Sequence, residues 1–265
     1  MVSGDNLVKR KSRSPLFWGC VFFPVFFVFF LVVLLNSVPD ISALERIADG
    51  EPDVPIKTLS GRELFVYHSP QYGEKIPLSL SEISDEMIAL TITTEDSRFF
   101  SNLGFSPAAI VRAVLQNLHL RKTYSGASTI TQQVVRNILF PEDVRFERSF
   151  TRKALEIYLS AGVTFCYDKE TILSLYLNEI YYGRNATGVG KAAEIYFGKP
   201  ASELDLLEAA FIAGLPQAPN YYGNNHTAGE IRQQEVLRIF ERAIGREGCI
   251  PLESGREPRC FCPVR

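Results

Sequence analysis

Residues Gly126–Asn137 read GASTITQQVVRN, and the interpretation of the chain turns on them. A small, pliable entry of Gly126, Ala127 and Ser128 runs into the hydroxyls of Thr129 and Thr131. Two adjacent amides follow, Gln132 and Gln133, then an apolar pair, the cation Arg136, and Asn137. So many amides and hydroxyls are unusual in a core helix. They suit the wall of a polar cleft, where they hydrogen-bond a sugar while the cation meets a phosphate. The plainer reading is a helix start with Ser128 as N-cap and solvated amides behind it. On these residues alone, both readings stand.

Upstream, Ser84 can cap a helix through Met87, Ile88, Leu90 and Thr91 that ends in Thr93-Thr94-Glu95-Asp96-Ser97-Arg98-Phe99-Phe100. Acids at a helix C-terminus oppose the macrodipole, which invites a functional reason for Glu95 and Asp96. Desolvation by Phe99 and Phe100 would raise a carboxyl pKa, as a general base requires; the alternative is a solvated turn. Downstream, Arg148, Arg152 and Glu156 recur every four residues with Lys153 alongside, so one helix face is expected to carry them. That face is either a surface salt-bridge ladder worth a few tenths of a kcal/mol per pair or a seat for a pyrophosphate leaving group. Tyr176-Leu177-Asn178-Glu179-Ile180-Tyr181-Tyr182-Gly183 adds aromatics that either pack or stack on sugars.

Taken in order, the chain begins with a basic tail, residues 1–15, containing Lys9, Arg10, Lys11 and Arg13. The run Leu16–Leu35 has twenty residues and no charge, enough to span a bilayer as a helix. No small-x-small cleavage site follows, and Cys20 lies within the run, so residues 16–36 are expected to be an uncleaved signal anchor. The basic flank keeps the N-terminus cytoplasmic and places the rest outside. Residues 37–74 read as a juxtamembrane stalk with a short β-prone hairpin about Ser60-Gly61. From 75 to 245 the pattern is helical: Ser106-Pro107 opens one helix, and Asp168 caps another. Ser202 with Asp205 forms a capping box before LLEAAFIAGL, Gly214 and Pro216 stop that helix, and a last helix runs from about Ala228 to Ile244. Residues 246–265, rich in Pro, Gly and Arg, are expected to be poorly ordered.

With a net charge of −2, bulk electrostatics do not favour nucleic-acid binding. Three scattered histidines and the absence of HExxH or paired CxxC speak against a zinc site. Cys166 falls in a helical pattern as a small hydrophobe, and Cys249 could bridge to Cys260 or Cys262.

EDSRFFSNLGFS, GASTITQQVVRN, RKALE and ILSLYLNEIYYGRNATGVGKAAEIYFGK, with LLEAAFIAGLPQAPN behind them, together resemble the peptidoglycan glycosyltransferases of glycosyltransferase family 51. The resemblance covers about residues 75–225. It implies an all-α, lysozyme-like glycosyltransferase body behind one N-terminal transmembrane helix, with a smaller lobe that dips into the bilayer. It implies that lipid II is polymerised into β-1,4-linked glycan strands with release of undecaprenyl pyrophosphate. Glu95 matches the family's base, and Glu156 the second glutamate, at the leaving group or donor site. Arg112, Arg136, Arg152 and Lys153 fall where the family supplies cations. Ser128, Thr129, Gln132, Gln133 and Asn137 match polar positions of the substrate cleft, and Phe99 a cleft wall.

No cofactor is required on this reading, although a divalent cation such as Mg is compatible with it. The partners are lipid II, the growing glycan, the bilayer and other cell-wall synthesis proteins. The location implied is the bacterial inner membrane, single-pass, with the body on the periplasmic face. No penicillin-reactive Ser-x-x-Lys module follows before Arg265, so a monofunctional enzyme is expected. The sequence departs from the pattern at Asn102 and Ser106, usually His and Asp, and at Arg136, usually Lys. A lysozyme-like glycan-cleaving enzyme and a membrane-tethered lipid II-binding scaffold are the competing readings. The first has no need of the cations, and the second no need of both glutamates.

Overall fold

The computed structural model describes residues 39–48, 51–68, 78–107, 128–145, 147, 149–245, 249–250 and 259–260. The apolar run 16–35, Arg112 and Arg148 lie outside these residues, as does the helix expected after Pro107. Among the described residues, no helix is long and apolar enough to cross a membrane.

The segment expected to be a stalk is instead folded onto the body. Helix α1 (Ala43–Ala48) buries Ala43, Leu44 and Ile47. Strands β1 (Asp53–Lys57) and β2 (Glu63–His68) pair antiparallel, with Val54 opposite Tyr67 and Ile56 opposite Phe65. The turn between them falls at Ser60-Gly61, where the sequence puts it, and the register shifts after Ile56. Leu44, Val54 and Ile56 have no exposed surface. Burying side chains of this size stabilises by about 1.5–3 kcal/mol each, which a free stalk would forgo. Tyr67 adds a buried hydrogen bond of 2.5 Å from its hydroxyl to Glu179 Oε2.

The body is helical. α2 (Asp85–Glu95) is capped by Ser84, whose hydroxyl accepts from the Met87 N–H, as its sequence indicates. α3 (Ile130–Ile138) and the short α4 (Glu142–Arg145) precede α5 (Phe150–Cys166), which Ser149 caps. α6 (Lys169–Glu179) is capped by Asp168, and α7 (Val189–Phe197) ends at the left-handed Gly198. α8 (Leu206–Gly214), α9 (Pro219–Asn224) and α10 (His226–Ile244) complete the body. The capping box of α8 is Asp205 with Glu208, not Ser202 with Asp205; Ser202 lies in a separate 3-10 turn. Near the end, β3 (Cys249–Ile250) pairs with β4 (Arg259–Cys260), Cys249 opposite Cys260, where an unordered tail was expected. Cys166 is exposed at the end of α5, so it is not a core hydrophobe.

Two packed groups organise these helices. α2, α8 and α10 pack together, and α3 packs on both α5 and α6. The last residue of α2 is Glu95, so it emerges where the first group meets the second.

Candidate active site

The first turn of α3 resolves the ambiguity in GASTITQQVVRN residue by residue. The N-cap is Thr129, not Ser128: its hydroxyl accepts from the Gln132 N–H at 3.2 Å, while Gln132 Oε1 accepts from the Thr129 N–H at 3.0 Å. This reciprocal capping box holds Thr129 and Gln132 inward, where Gln132 is 1% exposed and its Nε2 finds no partner among the described residues. Both side chains are buried in the cap, where the sequence suggested a cleft surface. Ser128 is left to accept a hydrogen bond from Lys153 Nζ at 3.1 Å. Gln133, one residue beyond the box, turns the other way, and its Nε2 donates to Glu95 Oε2 at 2.6 Å. Arg136, one turn on, is half-buried and makes no hydrogen bond or ion pair among the described residues. Asn137 is half-buried beside it.

Glu95 is half-buried at the C-terminal end of α2. Burial raises its carboxyl above the usual range; the Gln133 hydrogen bond and the positive fields of Arg232 and Arg136 pull it part of the way back, and Asp96 adds to the rise. Asp96 is raised too, again by burial, against hydrogen bonds from Asn102 and the Ile130 N–H. Both carboxyls are therefore desolvated by burial. Phe99, however, is fully buried, edge-on to Phe100 at 5.2 Å between centroids, so it packs beneath the loop and offers no open wall. Tyr176 and Tyr182 are also core residues, which favours packing over stacking for that motif. Their hydroxyls have no partner among the described residues, and burial together with the Glu95 charge raises both phenols.

A second cluster is built on the first two turns of α5. Glu156 has no exposed surface, and each carboxylate oxygen meets a cation: Arg152 Nη1 at 2.5 Å and Lys153 Nζ. Arg152 Nε also donates to the Glu147 carbonyl at 2.6 Å. Burial lowers the Lys153 ammonium, and Glu156 counters it. A carboxylate enclosed in this way fixes two cations on one side of α3 while leaving net positive charge there. Of the cations expected at the site, Arg136, Arg152 and Lys153 are thus brought together. Among the described residues, no group of three His, Cys, Asp or Glu side chains could hold a metal ion.

Two contributors escaped the sequence reading. Arg232 on α10 is 7% exposed; its Nε donates to the Gly214 carbonyl at 3.3 Å, and its charge acts on Glu95. Gly214 permits the approach, since a Cβ there would meet Arg232 Cγ at 2.9 Å. The second is the Tyr67–Glu179 bond, which ties the N-terminal hairpin to α6. Neither has a local signature, because each joins residues far apart in the chain.

The helical body thus presents a carboxylate of raised proton affinity at the end of α2 and a cationic cluster at the start of α5. The chain belongs to the transglycosylase family, whose pattern, described as Transglycosylase, matches residues 61–241. It is 41% identical over 216 residues to penicillin-binding protein 1A of Escherichia coli K12, covering 81% of this chain and 23% of that protein. With penicillin-binding protein 1A of Aquifex aeolicus it shares 35% identity over 228 residues, 86% of this chain and 30% of the relative. The chain thus spans roughly a quarter of the length of these relatives. The crystal structure of penicillin-binding protein 1A from Haemophilus influenzae aligns with 71% of this chain and 18% of its own, at 22% identity and a TM-score of 0.34.

Proposed function

We propose that this protein is an inverting peptidoglycan glycosyltransferase that joins lipid II units into β-1,4-linked glycan and expels undecaprenyl pyrophosphate. The observation that carries the proposal is the pairing of the desolvated Glu95, hydrogen-bonded by Gln133 of α3, with the Arg152–Glu156–Lys153 cluster, whose Lys153 reaches Ser128 just ahead of the same helix. Glu95 takes the proton from the 4-hydroxyl of the acceptor sugar as that oxygen attacks C1 of the donor. Its raised proton affinity brings it toward the pKa at which a carboxylate is an effective base near neutrality. Pyrophosphate leaves without needing a strong acid, so the chemical demand on that side is for cations. Arg136, with no anion of its own among the described residues, and Lys153 meet it. Glu156 orients Arg152 and Lys153 and is itself enclosed, so its part is positioning. A divalent cation, if used, would arrive on the pyrophosphate.

The apolar run Leu16–Leu35 would tether the body to the inner membrane on its outer face, beside its lipid-linked substrate. A glycan-cleaving enzyme would not need the cation cluster, which favours the transferase. The test is incubation of detergent-solubilised protein with purified lipid II, with glycan products resolved on a gel, beside Glu95→Gln. A ladder from the wild type alone is expected. Turnover retained in Glu95→Gln would remove Glu95 as the base, and bound but unpolymerised lipid II in the wild type would favour the scaffold.

A further inference from the structure

Asn102 stands where the resembling family usually has histidine, and in the structure its amide has three partners. Its Nδ2 donates to Asp96 Oδ2 at 2.8 Å. Its Oδ1 accepts from the Gly104 N–H at 2.9 Å and from Lys169 Nζ at 3.1 Å. The same Asp96 oxygen also accepts from the N–H of Ile130, the first residue of α3, at 3.3 Å. The Gly104 carbonyl in turn accepts from Thr129 Oγ1 at 2.6 Å. Lys169, the first residue of α6, completes the cluster by lying 4.6 Å from the centroid of the Phe99 ring.

The loop that leaves α2 directly after Glu95 is thus fastened to the start of α3 through Asp96 and Gly104, and to the start of α6 through Asn102, whose amide also holds Asp96 and Gly104. Gly104 sits at φ +86° with its Cα against α5, where a Cβ would meet the Ser160 carbonyl oxygen at 2.2 Å. The loop therefore has contacts on three helices and little room to shift as a body.

The side-chain chemistry is specific. An amide offers a donor on one side and an oxygen with two lone pairs on the other, which is the set that Asp96, Gly104 and Lys169 require. Aspartate at 102 would lose the donor and set a second carboxylate against Asp96. Histidine has one N–H for Asp96 and a single lone pair on its other nitrogen, so it can serve Gly104 or Lys169 but not both. Lys169 is only 8% exposed, and a lysine so enclosed is held by particular partners, here Asn102, the Phe99 ring and the Asp96 charge. Burial brings its pKa down to about 8, partly opposed by Asp96.

We propose that Asn102 and Lys169 are positioning residues that clamp Asp96, locking the end of α2 to the start of α3 so that Gln133 stays within reach of Glu95. The inference rests on Glu95 being the base. Neither residue need touch substrate. The departure from histidine at 102 is on this view a working alternative and not a loss.

The test compares lipid II polymerisation and thermal melting in the full-length wild type, Asn102→Ala, Asn102→Asp, Asn102→His, Lys169→Met and the Asn102→Ala/Lys169→Met pair. Asn102→Ala, Asn102→Asp and Lys169→Met should each lower kcat about ten- to a hundredfold, with KM changed about twofold or less. Asn102→His, which keeps the bond to Asp96, should fall between alanine and the wild type. The double variant should be no worse than Asn102→Ala alone, since one network is being cut twice. The acidic limb of the kcat profile should move to higher pH in Asn102→Ala as Gln133 loses its hold on Glu95. Wild-type kcat and an unmoved limb in Asn102→Ala overturn the clamp, as does a loss accounted for wholly by a smaller folded fraction. Activity in Glu95→Gln overturns the base assignment instead, so the two failures are told apart.

Discussion

Gln133 Nε2 lies 2.6 Å from Glu95 Oε2, a hydrogen bond from the second turn of α3 to the last residue of α2. It is the contact by which the stretch first noticed in the sequence reaches the carboxylate at the centre of the site. Because the donor favours the charged form, Gln133→Leu should raise the Glu95 carboxyl further. The kcat profile of the variant should lose activity mainly at its acidic end and approach the wild type as pH rises. Parallel loss at every pH would mean that Gln133 serves substrate binding instead.

Glu95 also predicts a stability trade. Its proton affinity is higher in the folded state than in the unfolded one, so the folded state holds more protons as pH rises through that interval, and stability falls across it. Glu95→Gln removes this loss. The variant should melt at or above the wild-type temperature at pH 7.5, with the advantage shrinking toward pH 4 as Glu95 becomes protonated. Calorimetry at the two pH values checks this, and a variant less stable at pH 7.5 than at pH 4, relative to the wild type, would contradict it.

Glu156→Gln should behave in the opposite way. The substitution leaves Arg152 and Lys153 adjacent with no anion between them, and breaking a buried pair of this kind costs about 3–5 kcal/mol. Lys153 is partly open to solvent, which puts the expected loss near the lower figure. A fall in melting temperature of about 2–4 °C per kcal/mol follows for a domain of this size. Added pyrophosphate should restore part of it. A variant as stable as the wild type would show that the cations do not depend on Glu156.

Tyr67→Phe removes the donor to Glu179, a side chain only 8% exposed. The loss of one such hydrogen bond costs about 0.5–1.5 kcal/mol. Hydrogen exchange should accelerate in β1 and β2 more than in α8 and α10. Uniform acceleration would indicate that the hairpin and the body unfold as one unit.

What the sequence made legible was mostly local. Ser84, Asp168 and the Gly214–Pro216 stop announce helix ends through bonds made within a few residues, and all three stand as read. Ser202 misled because it and Asp205 both satisfy a capping pattern, and only Glu208, at the third helical position of α8, distinguishes them. The supposed stalk looked free because its apolar residues are few and short-spaced; their burial depends on α6, more than a hundred residues away. At the site, the sequence singled out Glu95, Gln133, Arg152, Lys153 and Glu156, and the structure joins Gln133 to Glu95 and both cations to Glu156. The inward turn of Thr129 and Gln132 was not, since a capping box and a substrate-binding amide are written with the same letters.

The two anchor points of α3 have a geometric consequence. Ser128 receives Lys153 just ahead of the N-cap of α3, and Gln133 holds Glu95 from inside the helix, five residues on. The helical part of that span, from Ile130 to Gln133, rises about 4.5 Å along the axis. In the proposed reaction, the span is a ruler between the group that accepts the proton and the group that steadies the departing phosphate. Its calibration is set by the capping box of Thr129 and Gln132, which fixes where the helix begins. Adding or deleting one residue between Ile130 and Gln133 would change the rise by about 1.5 Å and turn Gln133 by about 100° about the helix axis.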